Sequence, residues 1–489
     1  MACALLAAVL ALPSSASAAH SLMTGFASLE QYQTSNASER ATSFGRTVRA
    51  RAGLVRLSLG WAGTAPARPP DPTNPGSTFY DFSSIDGAVR DARARGLTVM
   101  ITVNVAPTWA EAPGRPASAR EGTWEPNPSD LANFMQAVAA RYSGGFDPDG
   151  PGGAPALPAV QAVEVWNEPN SSDWLTPQFV GRYFAGADHY RAMLDASYNA
   201  IKSVNPGMRV IAAGTDPYGD PPGGPYPASG ARARPVQFWQ HLLCVRPRKV
   251  KRGNKKRRKR HAKFRYVKTR GCSGPVRFDI LAHHPIDNTG GGPLRSGPTK
   301  FDASTPDLGR VVRVLRGAEK RHRTLRRHLP VWVTEFWWDS RPPNSSGVRP
   351  WKQARWLEQS LYLFWKAGAS AAVNFELADA SARSDVHAGL QSGVYFQDGR
   401  PKPSLVAFRF PFVTERINER KLRAWGKVPE GGGLVIQRRG HHHWITVTKI
   451  KVRSGRVFVA KLKLSGKQRL RAKVHGQKSL VWNQGAGRR

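Results

Sequence analysis

Eight short apolar runs recur between residues 25 and 375, and stretches with helical spacing separate several of them. The runs lie near Gly25-Phe26 and over 55–59, 98–103, 163–166, 209–212, 278–281, 331–334 and 372–375. Between them, Leu131, Phe134, Val138 and Tyr142 mark one stripe of a helix, and Ala354, Leu357, Leu361 and Phe364 mark another. Strands that alternate with helices pair in parallel through right-handed crossovers, and eight such strands close a (β/α)8 barrel. The pattern predicts an α/β chain built on a TIM barrel. A doubly wound open sheet is the other arrangement that this rhythm permits.

Insertions rich in Pro and Gly at 62–77, 143–158, 217–235 and 285–306 lengthen the barrel, and we expect them to follow strands. Beyond about residue 415 the texture changes to short alternating segments between Gly-containing turns, at 444–448, 456–459 and 479–482. These predict a small C-terminal antiparallel β domain. The expected division is an export signal over 1–19, a barrel domain over 20–412 and a basic all-β accessory domain over 413–489.

The export signal is read from the apolar run 4–12, which is too short to span roughly 30 Å of hydrocarbon and is followed by the small-residue site Ala16-Ser17-Ala18. A buried N-terminal helix is the alternative. Export would place the mature chain outside the cytoplasm, and Cys244 and Cys272 are then expected to form a disulfide. Between them lie fifteen Lys or Arg and no acid, so the bridge would hold the feet of a solvated basic loop. The chain's net charge is +39, and residues 415–489 hold twenty Lys or Arg against three acids. The charge is therefore concentrated in the 245–271 segment and the C-terminal domain. Such segments attract polyanions, for instance an anionic wall polymer or an acidic polysaccharide, in a salt-sensitive way.

Two strand ends carry the chemistry. The run 163–166 leads into Asn167-Glu168-Pro169, and the run 331–334 leads into Glu335-Phe336-Trp337-Trp338. Each places a carboxylate where a barrel strand meets its C-terminal loop, which is the rim where barrel enzymes keep their active sites. Two carboxylates facing one site suit glycoside hydrolysis: one protonates the leaving oxygen, and the other attacks the anomeric carbon or activates water. A negatively charged neighbour would raise the acid's pKa and hold its proton near neutrality.

Trp166-Asn167-Glu168-Pro169 followed by Thr334-Glu335-Phe336 resembles the retaining glycoside hydrolases of clan A, the group of cellulases, mannanases and β-xylosidases. The resemblance implies that Glu168 is the acid/base, that Glu335 is the nucleophile and that Asn167 bonds the sugar 2-hydroxyl. It implies a carbohydrate substrate and no cofactor. Arg56 on the second strand resembles the clan's arginine beside the nucleophile, where it would keep Glu335 ionised; its other role would be to neutralise a barrel-facing Glu164. His283 and His284 stand where the clan places a histidine, although the aromatic residue common two positions later is Ile286 here. His284 is the candidate substrate-binding member. Trp109 and Trp338, with Trp61 and Trp337, are candidate sugar platforms or core residues, and Glu376 stands where many relatives carry Trp.

No G-x-S-x-G elbow, P-loop, G-x-G-x-x-G or H-E-x-x-H motif occurs. His441, His442 and His443 are adjacent, and strand alternation would scatter them over both faces, so no metal site is expected. The rival to a hydrolase is a non-catalytic polysaccharide- or polyanion-binding envelope protein that uses the 245–271 segment and the C-terminal domain.

Overall fold

The computed structural model describes residues 21–151, 153–226, 230–250, 264–269, 272–287, 290–380 and 390–486. The expected signal segment 1–19 lies outside the described residues, as does most of the basic stretch between the two cysteines.

Eight parallel strands close into a barrel: β1 (Met23–Ala27), β2 (Leu54–Gly60), β3 (Thr98–Asn104), β4 (Ala162–Val165), β5 (Arg209–Ala212), β6 (Ile280–His283), β7 (Val331–Phe336) and β8 (Ala369–Phe375). The order around the barrel is β1-β8-β7-β6-β5-β4-β3-β2, so the open-sheet alternative is excluded. All eight expected runs are barrel strands. The sixth begins two residues later than its apolar run; at its foot the Asp279 N–H donates to the Val210 carbonyl at 2.8 Å and the Asp279 carboxylate accepts from the Val210 N–H at 3.0 Å.

Helices intervene as the stripes require. Pro128–Arg141 buries Leu131, Phe134 and Val138, and Pro350–Ala367 buries Ala354, Leu357, Leu361 and Phe364. Asn127 caps the first by accepting from the N–H groups of Ser129 and Asp130, with Pro128 in the first turn. Gly368, at φ 104°, ends the second in the left-handed conformation that glycine adopts without strain. The strands are buried on both faces. Their inner side holds a separate cluster of Leu54, Met100, Ile211, Ile280 and Trp332, and their outer side packs on the helices.

Three of the four insertions, 62–77, 217–235 and 285–306, follow β2, β5 and β6 and so leave the C-terminal rim. The fourth, 143–158, instead follows the helix Pro128–Arg141 and enters β4, which puts it at the opposite end. The expectation that it follows a strand is corrected.

Cys244 and Cys272 are bridged, with their Cα atoms 6.2 Å apart. The foot of the basic segment is an antiparallel ribbon rather than a loop: Val245–Lys249 pairs with Phe264–Lys268. Replacing both cysteines by serine is expected to lower stability by about 3 kcal/mol, because a bridge closing a loop of this length restricts the unfolded chain. A urea midpoint equal to that of the wild type would contradict this.

From Phe412 onward the chain forms two antiparallel sheets. One contains β9 (Phe412–Asn418), β10 (Lys421–Lys427) and β13 (Val457–Leu462). The other contains β11 (Gly432–Arg439), β12 (Trp444–Val452), β14 (Gln468–Val474), β15 (Gln477–Lys478) and β16 (Trp482–Gln484). The strand expected over 479–482 lies slightly later, since the Ser479 hydroxyl bonds the backbone at Ala472 and Leu480 packs inward. This β domain rests on the barrel through Trp425, which packs against Tyr362 and Trp365.

Candidate active site

β4 ends at Val165, and the next residues turn sharply: Trp166 has φ 77° and Glu168 has φ 39°. A bulky side chain in the left-handed region costs on the order of 1–3 kcal/mol and persists only where the surroundings impose it. Here they do. The indole N–H of Trp166 donates to the carbonyl of Trp174 at 2.9 Å, and the N–H of Glu168 donates to the carbonyl of Gly214 at 3.0 Å. Trp174, fixed in this way, donates its own indole N–H to Glu168 Oε2 at 3.1 Å. Gly214 has a second duty, since a Cβ there would collide with the ring of His284.

Glu335 reaches the same place through an irregularity in β7. Against β8, the register passes from Ala372↔Val333 to Asn374↔Phe336, so β7 carries one extra residue. A bulge of this kind re-aims side chains. Thr334 and Glu335 both turn toward the barrel mouth, whereas Phe336 packs outward on Phe364.

Arg56 joins the groups. It donates to Glu335 Oε2 at 2.7 Å, to Asn167 Oδ1 at 2.7 Å, to Thr102 Oγ1 at 2.9 Å and to Glu164 Oε2 at 3.2 Å. The two roles considered for Arg56 therefore coexist. A guanidinium only donates, so its bond to Asn167 fixes the amide orientation and leaves the Asn167 NH2 as the group available to the cleft.

His284 spans both glutamates: Nδ1 lies 2.9 Å from Glu168 Oε1 and 4.0 Å from Glu335 Oε2. Those two oxygens are consequently within about 7 Å of each other. The other nitrogen, Nε2, is 3.0 Å from the Thr334 hydroxyl, which donates to Glu164 Oε1 at 2.9 Å. Bond polarity follows along this chain. Thr334 gives its only proton to the carboxylate, so Nε2 must carry a hydrogen. Burial holds the His284 pKa below the usual histidine value, so the ring is neutral and its Nδ1 accepts. The proton between His284 and Glu168 then belongs to Glu168.

The electrostatics agree. Burial pushes Glu168 up to about 7, against the pull of Arg56 and Arg232. Burial also raises Glu335, opposed by His284 and Arg56 and reinforced by Glu168. The main cause of the Glu168 shift is thus desolvation rather than the neighbouring carboxylate. Arg56 offsets only part of the burial at Glu335.

The cleft over these groups encloses about 240 Å³; Arg56, Asn167, Glu168, Glu335 and Trp337 line it, and Ile286 occupies the position of the expected aromatic. Trp109 and Trp338 are not among the lining residues. Trp109 donates to the carbonyl of Ala65 at 2.9 Å and lies under the Arg68 guanidinium, while Trp338 is buried against Trp356 and donates to Ser360. Both serve packing, as does Trp61, which is fully buried. His283 is a satisfied core residue, bonded to Thr215 and to the carbonyl of Ala303. Glu376 is buried under the Ser28 hydroxyl at 2.6 Å and pushed up to about 8 by desolvation.

Sequence reasoning missed Trp174, Thr334 and the rim pair Asp216 and Arg232, which also line or support the cleft. Trp174 lies six residues beyond Glu168, and that proximity was the only signal. Among the described residues no group of three or more His, Cys, Asp or Glu is placed to hold a metal ion, and no helix is long and apolar enough to cross a membrane.

No protein-family model and no curated protein sequence matches the chain. In structure it is similar to a family 39 glycoside hydrolase from the gut symbiont Bacteroides cellulosilyticus WH2, at 16% identity and a TM-score of 0.52, over 91% of this chain and 81% of that one. A glucosidase from Croceicoccus marinus is similar at 13% identity and a TM-score of 0.48, over 91% of this chain and 94% of that one. At such identities the likeness concerns the fold. The closed parallel barrel followed by C-terminal β sheets is a TIM-barrel fold, and that fold is what the chain shares with the family 39 glycoside hydrolase.

Proposed function

We propose that the chain is an exported, retaining glycoside hydrolase that cleaves β-linked O-glycosidic bonds in oligo- or polysaccharides by double displacement. One observation carries this reading: Glu168 and Glu335 meet at the barrel mouth within about 7 Å, one holding a proton through His284 and the other paired with Arg56. Retaining enzymes place their carboxyl groups roughly 5–5.5 Å apart and inverting ones about 6.5–9.5 Å apart; a bound of about 7 Å spans both, so the retaining choice rests on the likeness of the two strand-end motifs to retaining enzymes, and the product anomer decides it. The disulfide supports export.

In the first step the Glu335 carboxylate attacks the anomeric carbon while Glu168 gives its proton to the leaving oxygen, and the glycosidic bond breaks. In this reading the Asn167 NH2 holds the 2-hydroxyl. With Glu335 esterified its charge is gone; the ionised Glu168 then takes a proton from water as that water attacks the same carbon, and the ester bond to Glu335 breaks, which releases the sugar and restores the Glu335 carboxylate and the protonated Glu168. The cleavage requires Glu335 ionised and Glu168 protonated. The kcat/KM profile is therefore expected to be bell-shaped, falling as pH rises through about 7 and falling again in acid as Glu335 protonates. The direct test is a panel of aryl β-glycosides with the product anomer followed by NMR: retention supports the reading, and inversion contradicts it.

The Thr334 hydroxyl acts through His284. Thr334→Val frees Nε2, admits the tautomer with Nδ1–H and thereby favours ionised Glu168. The basic limb of the profile is expected to move down by about one pH unit, with Thr334→Ser restoring it. An unmoved limb would reduce Thr334 to a packing residue.

A further inference from the structure

The second C-terminal sheet has one face of cations without acidic partners among the described residues. In β11 and β14, Leu434, Ile436, Leu470, Ala472 and Val474 are buried, so alternation turns Arg439, Arg469, Arg471 and Lys473 to the opposite side. The register brings Lys449 and Lys473 to either side of Val435, Arg471 beside Gln437 and Trp444 beside Arg439. Five cations thus share this face with one tryptophan, and two of them reach its ring. The Arg471 guanidinium lies over the Trp444 ring at 3.9 Å, and that of Arg439 lies at 5.7 Å. Nothing neutralises them: residues 431–489 contain no Asp or Glu, and among the described residues no ion pair involves a cation beyond position 430. Burial, and the like charge of Arg439, hold the Arg471 pKa below its usual value. Beside this face a cleft of about 870 Å³ is lined by Arg438, Arg439, Lys467 and Arg469.

We propose that this face binds an acidic polysaccharide that carries a carboxylate or sulfate on successive sugars. Neighbouring strands stand roughly 4.8 Å apart, and alternate residues along a strand roughly 6.8 Å apart, so the positive charges recur at the spacing of a polymer's charges. A lone small anion would engage only a fraction of them. The choice of a glycan over other polyanions rests partly on the hydrolase reading and partly on the face itself. Single-stranded nucleic acids are held by free aromatic faces on which bases stack, and here the Trp444 ring is covered by the Arg471 guanidinium. Polymer binding releases the counterions that now screen these charges, so the interaction weakens steeply with salt.

The test uses the full chain, with polygalacturonate as the probe, neutral pullulan as the control and duplex DNA as the competing polyanion. The variant R439S/K449S/R471S/K473S is expected to bind polygalacturonate roughly 100-fold more weakly in 0.1 M salt, with a log–log salt slope shallower by about 3. The charge-keeping variant R439K/R471K should bind nearly as the wild type, and hydrolysis of small aryl glycosides should be unchanged in both. Wild-type affinity in the quadruple variant would overturn the proposal by placing binding elsewhere, for instance in the 251–263 segment. Tighter binding to DNA than to polygalacturonate would overturn the choice of glycan. If neither protein hydrolyses any aryl glycoside, the hydrolase reading fails, while the affinity ratio still judges the face.

Discussion

Glu335→Ala is expected to lower kcat/KM by on the order of 10⁴- to 10⁶-fold on every substrate, whatever its leaving group, because covalent attack has no substitute in the cleft. The loss should be chemical rather than structural. Glu335 contributes one ion pair, to Arg56, which keeps three other acceptors in Glu164, Thr102 and Asn167. The space left by the side chain lies beside that guanidinium, so azide has both room and a countercharge. Added azide should restore turnover and convert a β-linked substrate into an α-glycosyl azide, since the anion attacks the face opposite the leaving group. A variant with near-wild-type activity would remove Glu335 from the mechanism.

Glu168→Ala should divide substrates by leaving group. An aglycone that departs as a stable anion needs no proton, and its glycosylation step should survive. Poorly acidic aglycones should lose roughly 10²- to 10⁴-fold. The second step then lacks its base, so activated substrates should show a burst followed by a slow steady state, and azide should give a β-glycosyl azide. The alkaline limb near pH 7 belongs to this carboxyl, and it should vanish from the glycosylation rate of the variant. A uniform loss across all leaving groups would assign Glu168 a structural role.

The barrel was legible because its strands are short, apolar and separated by helices whose stripes bury as periodicity predicts, as at Leu131, Phe134 and Val138. Glu168 and Glu335 were legible as acids at strand ends. What lay beyond reach arose where side chains from different strands meet. Thr334 looks like an ordinary strand residue, and only the bulge in β7 brings it between His284 and Glu164. The same irregularity sends Glu335 toward the mouth and Trp338 into the core, so counting alternate residues from Val331 misplaces the tryptophan. Trp109 follows β3 at the rim, yet the Arg68 guanidinium over its ring and the bond to the Ala65 carbonyl hold it in packing. The cationic face of the C-terminal sheet was visible as composition, and the strand register showed which charges share a side.

The central claim is that a carboxylate at position 335 becomes covalently glycosylated. The most direct measurement is to incubate the protein with a 2-deoxy-2-fluoro β-glycoside bearing an activated leaving group, digest it, and locate the added mass by tandem mass spectrometry. The account predicts a single sugar on Glu335, formed in Glu168→Ala as well and absent from Glu335→Ala; a sugar attached to any other residue, or inverted product with no labelled peptide, would contradict it.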